Sequence, residues 1–170
     1  TKKSSSGKNS GAYFTFETNE IDKINYRIAI SFVSIENAKE NLKNEEKHLT
    51  FEEYQRETSK EWDKYLSAIK IKSKNEDRIK QFYTHFYHSL IHPNIVSDVN
   101  GEYMGADFKV HKTKENREQY SSFSVWDTYR TQGQLIAMLF PKKSSDMMQS
   151  LVDFAEQAGG YGRWILANIE

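Results

Sequence analysis

The sequence predicts an α+β protein in which a short β-rich segment is followed by a series of paired helices. Two observations support this prediction. Apolar and polar residues alternate strictly through residues 24–33 (INYRIAISFV), as expected of a strand with one buried face. From Ile35 onward, apolar residues recur every three or four positions, as expected of amphipathic helices. Successive helix pairs with short connections pack as a bundle or as an α/α toroid.

Length, charge and cysteine content exclude several classes of protein. The 170 residues suffice for about one domain, since domains average roughly 150 residues. The 24 basic and 24 acidic residues cancel, which disfavours a nucleic acid or an acidic membrane as partner. The sequence contains no run approaching the roughly 20 apolar residues of a membrane-spanning helix. The absence of cysteine excludes disulfides, cysteine-bound zinc and a thiolate nucleophile within this chain.

Two strands are predicted at the N-terminal end, over residues 11–17 and 24–33. Because two strands are not stable alone, we expect the rest of their sheet to lie outside this chain. The polar start, residues 1–10, and the apolar end, residues 164–170, are typical of a fragment cut from a longer protein.

Two helices are predicted next. A weak apolar pattern predicts the first over residues 35–48. Thr50 and Glu53 have the spacing of a capping box, which predicts the start of the second. The polar residues 70–74 then interrupt the pattern and are the expected domain junction.

The third helix has the clearest apolar pattern in the chain. We expect it to begin at the N-cap Asn75 and to end before Pro93. Residues 96–112 contain two glycines in an alternating pattern, which predicts a β-hairpin or a long loop.

Two further helices are predicted in the C-terminal part. The first covers residues 128–140 and is ended by Pro141. Ser144 or Ser145 is the expected N-cap of the second, and Gly159 is its expected end.

An aromatic and charged cluster, residues 126–130 (WDTYR), lies at the predicted loop-to-helix junction. Its Trp126, Asp127 and Arg130 are candidate sugar-binding residues. An aromatic face covers the apolar C–H patch of a pyranose, and charged groups form strong hydrogen bonds with hydroxyls. The alternative interpretation is that Asp127 is simply the N-cap of the helix.

Trp164 and Glu170 form a second candidate pair near the C-terminal end. Taken alone, their residue types favour a core tryptophan and an exposed glutamate.

Two possible metal sites have weak patterns. His88 and His92 lie four residues apart, as helical metal ligands can, but no neighbouring acidic frame accompanies them. The polar side of an amphipathic helix is therefore the favoured interpretation. Residues 98–102 (DVNGE) lack the spacing of a calcium-binding loop and are interpreted as turn-formers.

Four runs of residues occur together in a characteristic order. They are SFVSIENA at 31–38, FYTHFYHSLIHPN at 82–94, SDVNGEY at 97–103 and FSVWDTYR at 123–130. This combination resembles glycoside hydrolase family 92, the calcium-dependent bacterial exo-α-mannosidases, over residues 11–170.

The resemblance implies three structural parts. Residues 1–34 would be the last strands of an N-terminal β-sandwich, and residues 35–74 a helical linker. Residues 75–170 would be the first helices of an (α/α)6 toroid that forms the catalytic domain.

The resemblance also implies an activity, which is the inverting, calcium-dependent release of terminal mannose from N-glycans or mannans. Trp126, Asp127 and Arg130 match a family motif whose carboxylate contacts the mannose, while Trp164 and Glu170 match residues at the same subsite. The catalytic acid and base and the calcium ligands would lie beyond residue 170.

Two classes of function remain open at this point. The first is an α-mannosidase of which this chain is a part, with a mannose-containing glycan and the rest of the polypeptide as partners. The second is a non-catalytic carbohydrate-binding or scaffold protein with the same fold. A continuation that carries the catalytic acid and base would favour the first.

Overall fold

The computed structural model describes residues 11, 13–17, 23–114 and 116–166, so the predicted polar segment 1–10 lies outside the described residues. Within this part the chain forms six helices: α1 (Ile35–Glu45), α2 (Phe51–Leu66), α3 (Glu76–Ser89), α4 (Val125–Thr128), α5 (Gln132–Leu139) and α6 (Pro141–Ala158). None of the helices in the described ranges is both long enough and apolar enough to cross a membrane.

Six short strands join in three antiparallel pairs, β1 with β4, β2 with β3 and β5 with β6. They are β1 (Asn94–Ile95), β2 (Glu102–Met104), β3 (Val110–Lys112), β4 (Tyr120–Ser121), β5 (Phe123–Ser124) and β6 (Trp164–Ile165). The mixture of helices and strands confirms the predicted α+β class in its coarse form.

The two predicted N-terminal strands are not found among the described residues. Residues 23–33 form no strand, and Ile28 and Ile30 are largely exposed. Side chains hold this segment instead, because Asn41 Nδ2 donates to the Ile30 carbonyl at 3.0 Å and Arg27 pairs with Glu46. Without a neighbouring strand, the apolar side chains of such a segment stay exposed and its backbone N–H and C=O groups stay unpaired. The β-sandwich therefore stays a prediction.

The first three helices begin where the sequence predicts. The Thr50 hydroxyl accepts from the Glu53 backbone N–H, and the Glu53 carboxylate accepts from the Thr50 N–H at 2.8 Å, which completes the capping box. The same backbone hydrogen bond is the main cause that lowers the pKa of Glu53. Asn75 caps α3 by accepting from the Arg78 N–H at 3.2 Å. Residues 70–74, the predicted junction, lie between α2 and α3.

The predicted helix over residues 128–140 is wrong in its bounds. The chain forms two helices, α4 and α5, because Thr131 leaves the helical region at φ −147° and ψ −37°. The predicted serine cap of the next helix is also wrong, since α6 already begins at Pro141. Proline suits this first position because it has a helical φ and needs no hydrogen-bond partner for a backbone N–H. Gly159 ends α6 in the left-handed conformation at φ 78°, as predicted.

The loop before β2 is a turn, as the sequence predicts for residues 98–102. The Gly101 N–H donates to the Asp98 carbonyl at 2.8 Å, and the Glu102 N–H donates to Asn100 Oδ1 at 2.9 Å. Gly101 adopts φ 84°, a conformation that glycine enters without steric cost. The predicted hairpin follows, formed by β2 and β3.

The Asp98 side chain joins the N-terminal region to this hairpin. The residue is only 6% exposed. Its Oδ2 accepts from Ser31 Oγ at 2.7 Å and from Asn37 Nδ2 at 2.8 Å, while its Oδ1 accepts from Asn41 Nδ2 at 2.7 Å. One donor from the segment before α1 and two donors from α1 thus satisfy this carboxylate. A buried charge needs such hydrogen bonds to offset the loss of its hydration.

The largest apolar cluster lies between the strands and α6. Tyr120, Phe123 and Ile165 are buried together, and they pack against partly buried side chains of α4 and α6, namely Val125, Met147, Leu151 and Phe154. Burial of Phe123 and Ile165 in this cluster fixes which face of the β5–β6 pair points toward α6.

Polar contacts fix α6 beneath β4. The Ser150 hydroxyl accepts from the Tyr120 N–H at 2.9 Å and donates to the Asp146 carbonyl at 2.8 Å. Arg117 and Asp153 form an ion pair at 2.6 Å with both side chains mostly buried. The short strands are therefore attached to a helix of 18 residues rather than to a large sheet.

We expect Asp98→Ala to lower the free energy of unfolding of the complete protein by about 3 kcal/mol or more. The substitution removes three hydrogen bonds to a charged group at once, from Ser31, Asn37 and Asn41, and each such bond contributes about 1.5–3 kcal/mol. Denaturant unfolding measures the change. The matched control is Asp63→Ala on the exposed side of α2, for which we expect a change within about 0.5 kcal/mol. Equal stability of the two variants would contradict the structural role of Asp98.

Candidate functional site

The pairing of β5 with β6 brings two distant parts of the chain together. Phe123 faces Ile165 and Ser124 faces Trp164 in the antiparallel register. Successive side chains of a strand point to opposite faces. Phe123 and Ile165 are accordingly buried in the apolar cluster, while Ser124 and Trp164 share the other face.

Ser124 links Trp164 to Asp127 through two short hydrogen bonds. Trp164 Nε1 donates to Ser124 Oγ at 2.6 Å, and Ser124 Oγ donates to Asp127 Oδ2 at 2.5 Å. The direction of both bonds follows from chemistry, because an indole N–H only donates and an ionised carboxylate only accepts. A hydroxyl has one proton to donate and lone pairs to accept with, so Ser124 can serve both neighbours at once.

Asp127 is not the N-cap of a helix, so this alternative prediction is wrong. It lies in the first turn of α4, and the residue at the N-cap position is Ser124. The helix begins earlier than the sequence indicates because Val125 N–H is already bonded to the Arg163 carbonyl at 3.1 Å across the β5–β6 pair. The Asp127 side chain is exposed, and no described residue donates to its Oδ1.

Trp126 lies beside the same junction, next to Arg163. The Arg163 guanidinium carbon is 5.4 Å from the centroid of the Trp126 ring, within the range of a cation–π contact. Trp126 is 54% exposed and Trp164 is 60% exposed. Neither tryptophan is a core residue, so the alternative interpretation of Trp164 as a core tryptophan is wrong.

The structure does not bring every predicted residue into this cluster. The recorded aromatic contact of Arg130 is with its neighbour Tyr129, at 5.6 Å from the ring centroid. No described contact joins Arg130 to Asp127, Trp126 or Trp164. Glu170 lies outside the described residues. The roles of Arg130 and Glu170 stay predictions.

Two residues of the cluster, Ser124 and Arg163, were not singled out in the sequence. A local signal existed for Ser124, since a hydroxyl three residues before a carboxylate often bonds to it at a helix start. No local signal connects Ser124 with Trp164, because 40 residues separate them in the chain.

An open, mostly apolar groove of about 820 Å³ runs beside Trp164 and Ser124. His88 and His92 lie on its wall together with Tyr129, Met147 and Met148. Within the described ranges, histidine, aspartate and glutamate nowhere gather in a group of three that could hold a metal ion. The interpretation of His88 and His92 as the polar side of a helix stays a prediction.

The cluster has the chemical components of a sugar-binding site. Exposed indole rings can cover the C–H face of a pyranose, and a carboxylate oxygen without a protein donor can accept from its hydroxyls. An anchored carboxylate beside two exposed tryptophans is uncommon on a surface without a ligand-binding role, since such rings are usually buried.

Comparisons with known proteins agree with this chemistry. Residues 37–170 match the glycosyl hydrolase family 92 catalytic domain. No curated protein matches the sequence significantly.

Three solved structures illustrate the similarity in fold. A family 92 α-mannosidase from Bacteroides thetaiotaomicron is 27% identical with a TM-score of 0.77, and the match covers 82% of this chain and 19% of that one. A family 92 glycosyl hydrolase is 28% identical with a TM-score of 0.67, covering 82% of this chain and 20% of that one. A family 92 inverting mannosidase from Bacteroides thetaiotaomicron VPI-5482 is 24% identical with a TM-score of 0.73, and the match covers 79% of this chain and 18% of that one.

The first of these relatives has also been solved in complex with mannoimidazole. The chain spans about a fifth of the length of these solved relatives. The family match extends over most of the sequence and includes the residues of the aromatic cluster. The chain belongs to glycoside hydrolase family 92.

Proposed function

We propose that the complete enzyme containing this chain hydrolyses terminal α-linked mannose from N-glycans or mannans, with inversion at the anomeric carbon. The observation that carries this proposal is the exposed carboxylate of Asp127, which Ser124 links to the exposed indole of Trp164. Family membership supports the hydrolase activity, and a relative of 27% identity is an α-mannosidase.

In this proposal the chain contributes substrate binding rather than the catalytic proton transfers. Asp127 Oδ1 accepts hydrogen bonds from mannose hydroxyls, while Oδ2 stays bonded to Ser124. The Trp164 ring provides an apolar surface for the sugar. Arg130 and Glu170 contribute further polar contacts at the same subsite.

Inverting hydrolysis needs a carboxylic acid that protonates the leaving oxygen and a carboxylate that activates water on the opposite face. These two groups are commonly about 6.5–9.5 Å apart. We assign both to residues beyond this chain.

The domain division follows the same proposal. Residues 1–34 are the last strands of an N-terminal β-sandwich, residues 35–74 a helical linker, and residues 75–170 the first part of an (α/α)6 catalytic domain. The exposed apolar row of residues 24–32 supports this division, since it offers one face to a neighbouring sheet.

Calcium is proposed as a cofactor of the complete enzyme, with ligands outside this chain. Calcium takes six to eight oxygen ligands, commonly several carboxylates. The described residues do not fit such a site, because they contain no group of three potential acidic or histidine ligands. The buried carboxylate of Asp98 and the partly buried carboxylate of Glu102 accept hydrogen bonds from Asn37 instead.

We expect Asp127→Ala to lower kcat/KM of the complete enzyme on 4-nitrophenyl α-mannoside by about 10–100-fold. A hydrogen bond to a charged group contributes about 1.5–3 kcal/mol, and each 1.4 kcal/mol is a factor of ten. Asp127→Asn keeps the shape of the side chain but removes the charge, so it should also lose activity. Because Asp127 is exposed, both variants should unfold at the parent temperature. An Asp127→Asn enzyme with parent activity would refute the ligand role.

Trp164→Ala should weaken mannoside binding while changing the thermal unfolding temperature by only a degree or two. The side chain is 60% exposed, so its removal leaves little cavity, but the sugar loses its apolar surface. Trp164→Phe is the matched variant, since it keeps an aromatic face and loses the indole N–H. We expect KM to increase in the order parent, Trp164→Phe, Trp164→Ala. A large fall in melting temperature with an unchanged KM would show a role in folding instead.

Exhaustive chelation with EDTA should abolish mannoside hydrolysis by the complete enzyme, and added calcium should restore it. The measurement is the initial rate before and after calcium addition, with magnesium as the matched control ion. Full activity after chelation would overturn the calcium proposal. An enzyme that binds mannose but never hydrolyses mannosides would favour the non-catalytic carbohydrate-binding alternative.

A further inference from the structure

Among the described residues, only Ser124 forms side-chain hydrogen bonds with both Asp127 and Trp164, two of the predicted sugar-binding residues. Its Oγ accepts from Trp164 Nε1 at 2.6 Å and donates to Asp127 Oδ2 at 2.5 Å. We propose that Ser124 is a positioning residue that fixes Asp127 and Trp164 relative to each other before the sugar binds. This inference rests on the proposed function, because it concerns the same subsite.

The backbone already restricts where the Ser124 hydroxyl can lie. Ser124 and Trp164 are directly opposite each other in the β5–β6 pair, so their side chains stand on one face. Val125 N–H bonds to the Arg163 carbonyl at 3.1 Å. This bond joins the residue after Ser124 to the residue before Trp164. The bond between hydroxyl and indole therefore joins cross-strand neighbours rather than two mobile surface groups.

The donor and acceptor groups around Ser124 allow only one direction for each of its two hydrogen bonds. The indole has only a proton to give, so it occupies a lone pair of Oγ. The single hydroxyl proton then points to the carboxylate, and the second oxygen of Asp127 stays available for a ligand. Trp164 is rotationally fixed by its N–H and Asp127 by one of its oxygens, although both are exposed.

A fixed site binds a sugar more tightly than a mobile one. Each side chain that is ordered only on binding reduces affinity, and prior ordering removes that cost. Without the hydroxyl, the exposed Asp127 carboxylate and Trp164 ring can turn independently. Ser124 cannot donate to the sugar in this arrangement, since its single hydroxyl proton is already bonded to Asp127.

The test compares three variants of the complete enzyme, which are Ser124→Ala, Ser124→Thr and the control Ser145→Ala. Ser145 lies exposed on α6 and does not line the groove beside Ser124 and Trp164. We expect Ser124→Ala to lower kcat/KM on 4-nitrophenyl α-mannoside about ten-fold, mainly through KM. Ser124→Thr retains a hydroxyl and should recover to within about three-fold of the parent, while Ser145→Ala should match it.

A mutant cycle separates positioning from a direct role. If Ser124 acts through Asp127 and Trp164, adding Ser124→Ala to an enzyme that already carries Asp127→Ala and Trp164→Phe should cost less than about three-fold, because neither bonding partner of Ser124 is left. The full ten-fold loss in both backgrounds would overturn the inference, since Ser124 would then act independently of Asp127 and Trp164.

A spectroscopic measurement tests the hydrogen bond without reference to activity. In enzyme labelled with fluorotryptophan, the Trp164 signal is identified by its loss in Trp164→Phe. Ser124→Ala should shift or broaden this fluorine resonance, and Ser124→Thr should restore it. An unchanged resonance in Ser124→Ala overturns the inference. An inactive parent enzyme whose Trp164 resonance still responds would instead count against the proposed function, so the two failures are distinguishable.

Discussion

The alternation of side chains across the two-residue pair of β5 and β6 is the constraint on which the rest of the site depends. One face of this pair buries Phe123 and Ile165 in the apolar cluster above α6, and the other face carries Ser124 and Trp164. The burial that stabilises the pair therefore also sets the register of the site. A shift by one residue would bury Trp164 and expose Ile165, which would remove both the core contact and the indole that bonds to Ser124.

A second constraint is the buried carboxylate of Asp98, which accepts hydrogen bonds from Ser31, Asn37 and Asn41. Two of the four sequence runs that resemble family 92, residues 31–38 and 97–103, are thus the two halves of one hydrogen-bonded network. Their residue types follow from structural need, because a buried charge must be surrounded by donors. The run at residues 123–130 has a different character, since Trp126, Asp127 and Tyr129 are exposed and only Phe123 among its aromatic side chains is buried. Its composition is better explained by a ligand than by folding.

Features determined by a few neighbouring residues could be predicted from the sequence. The capping box of Thr50, the cap at Asn75 and the left-handed glycine at 159 involve groups within one turn of each other. Features determined by distant contacts could not. The early start of α4 depends on a bond from Val125 to Arg163, and the link from Ser124 to Trp164 spans 40 residues. The alternating pattern of residues 24–33 predicts a strand, but a strand also needs a partner, and none is present among the described residues.

The central claim is that Asp127 and Trp164, fixed by Ser124, hold mannose. The most direct measurement is a crystal structure of the complete enzyme with mannoimidazole, the ligand already seen in the Bacteroides relative. The account predicts that hydroxyls of the bound ligand lie within hydrogen-bonding distance of Asp127 Oδ1, against the Trp164 ring, with the Ser124 bonds retained. A ligand bound elsewhere, with Asp127 and Trp164 still facing solvent, would contradict it.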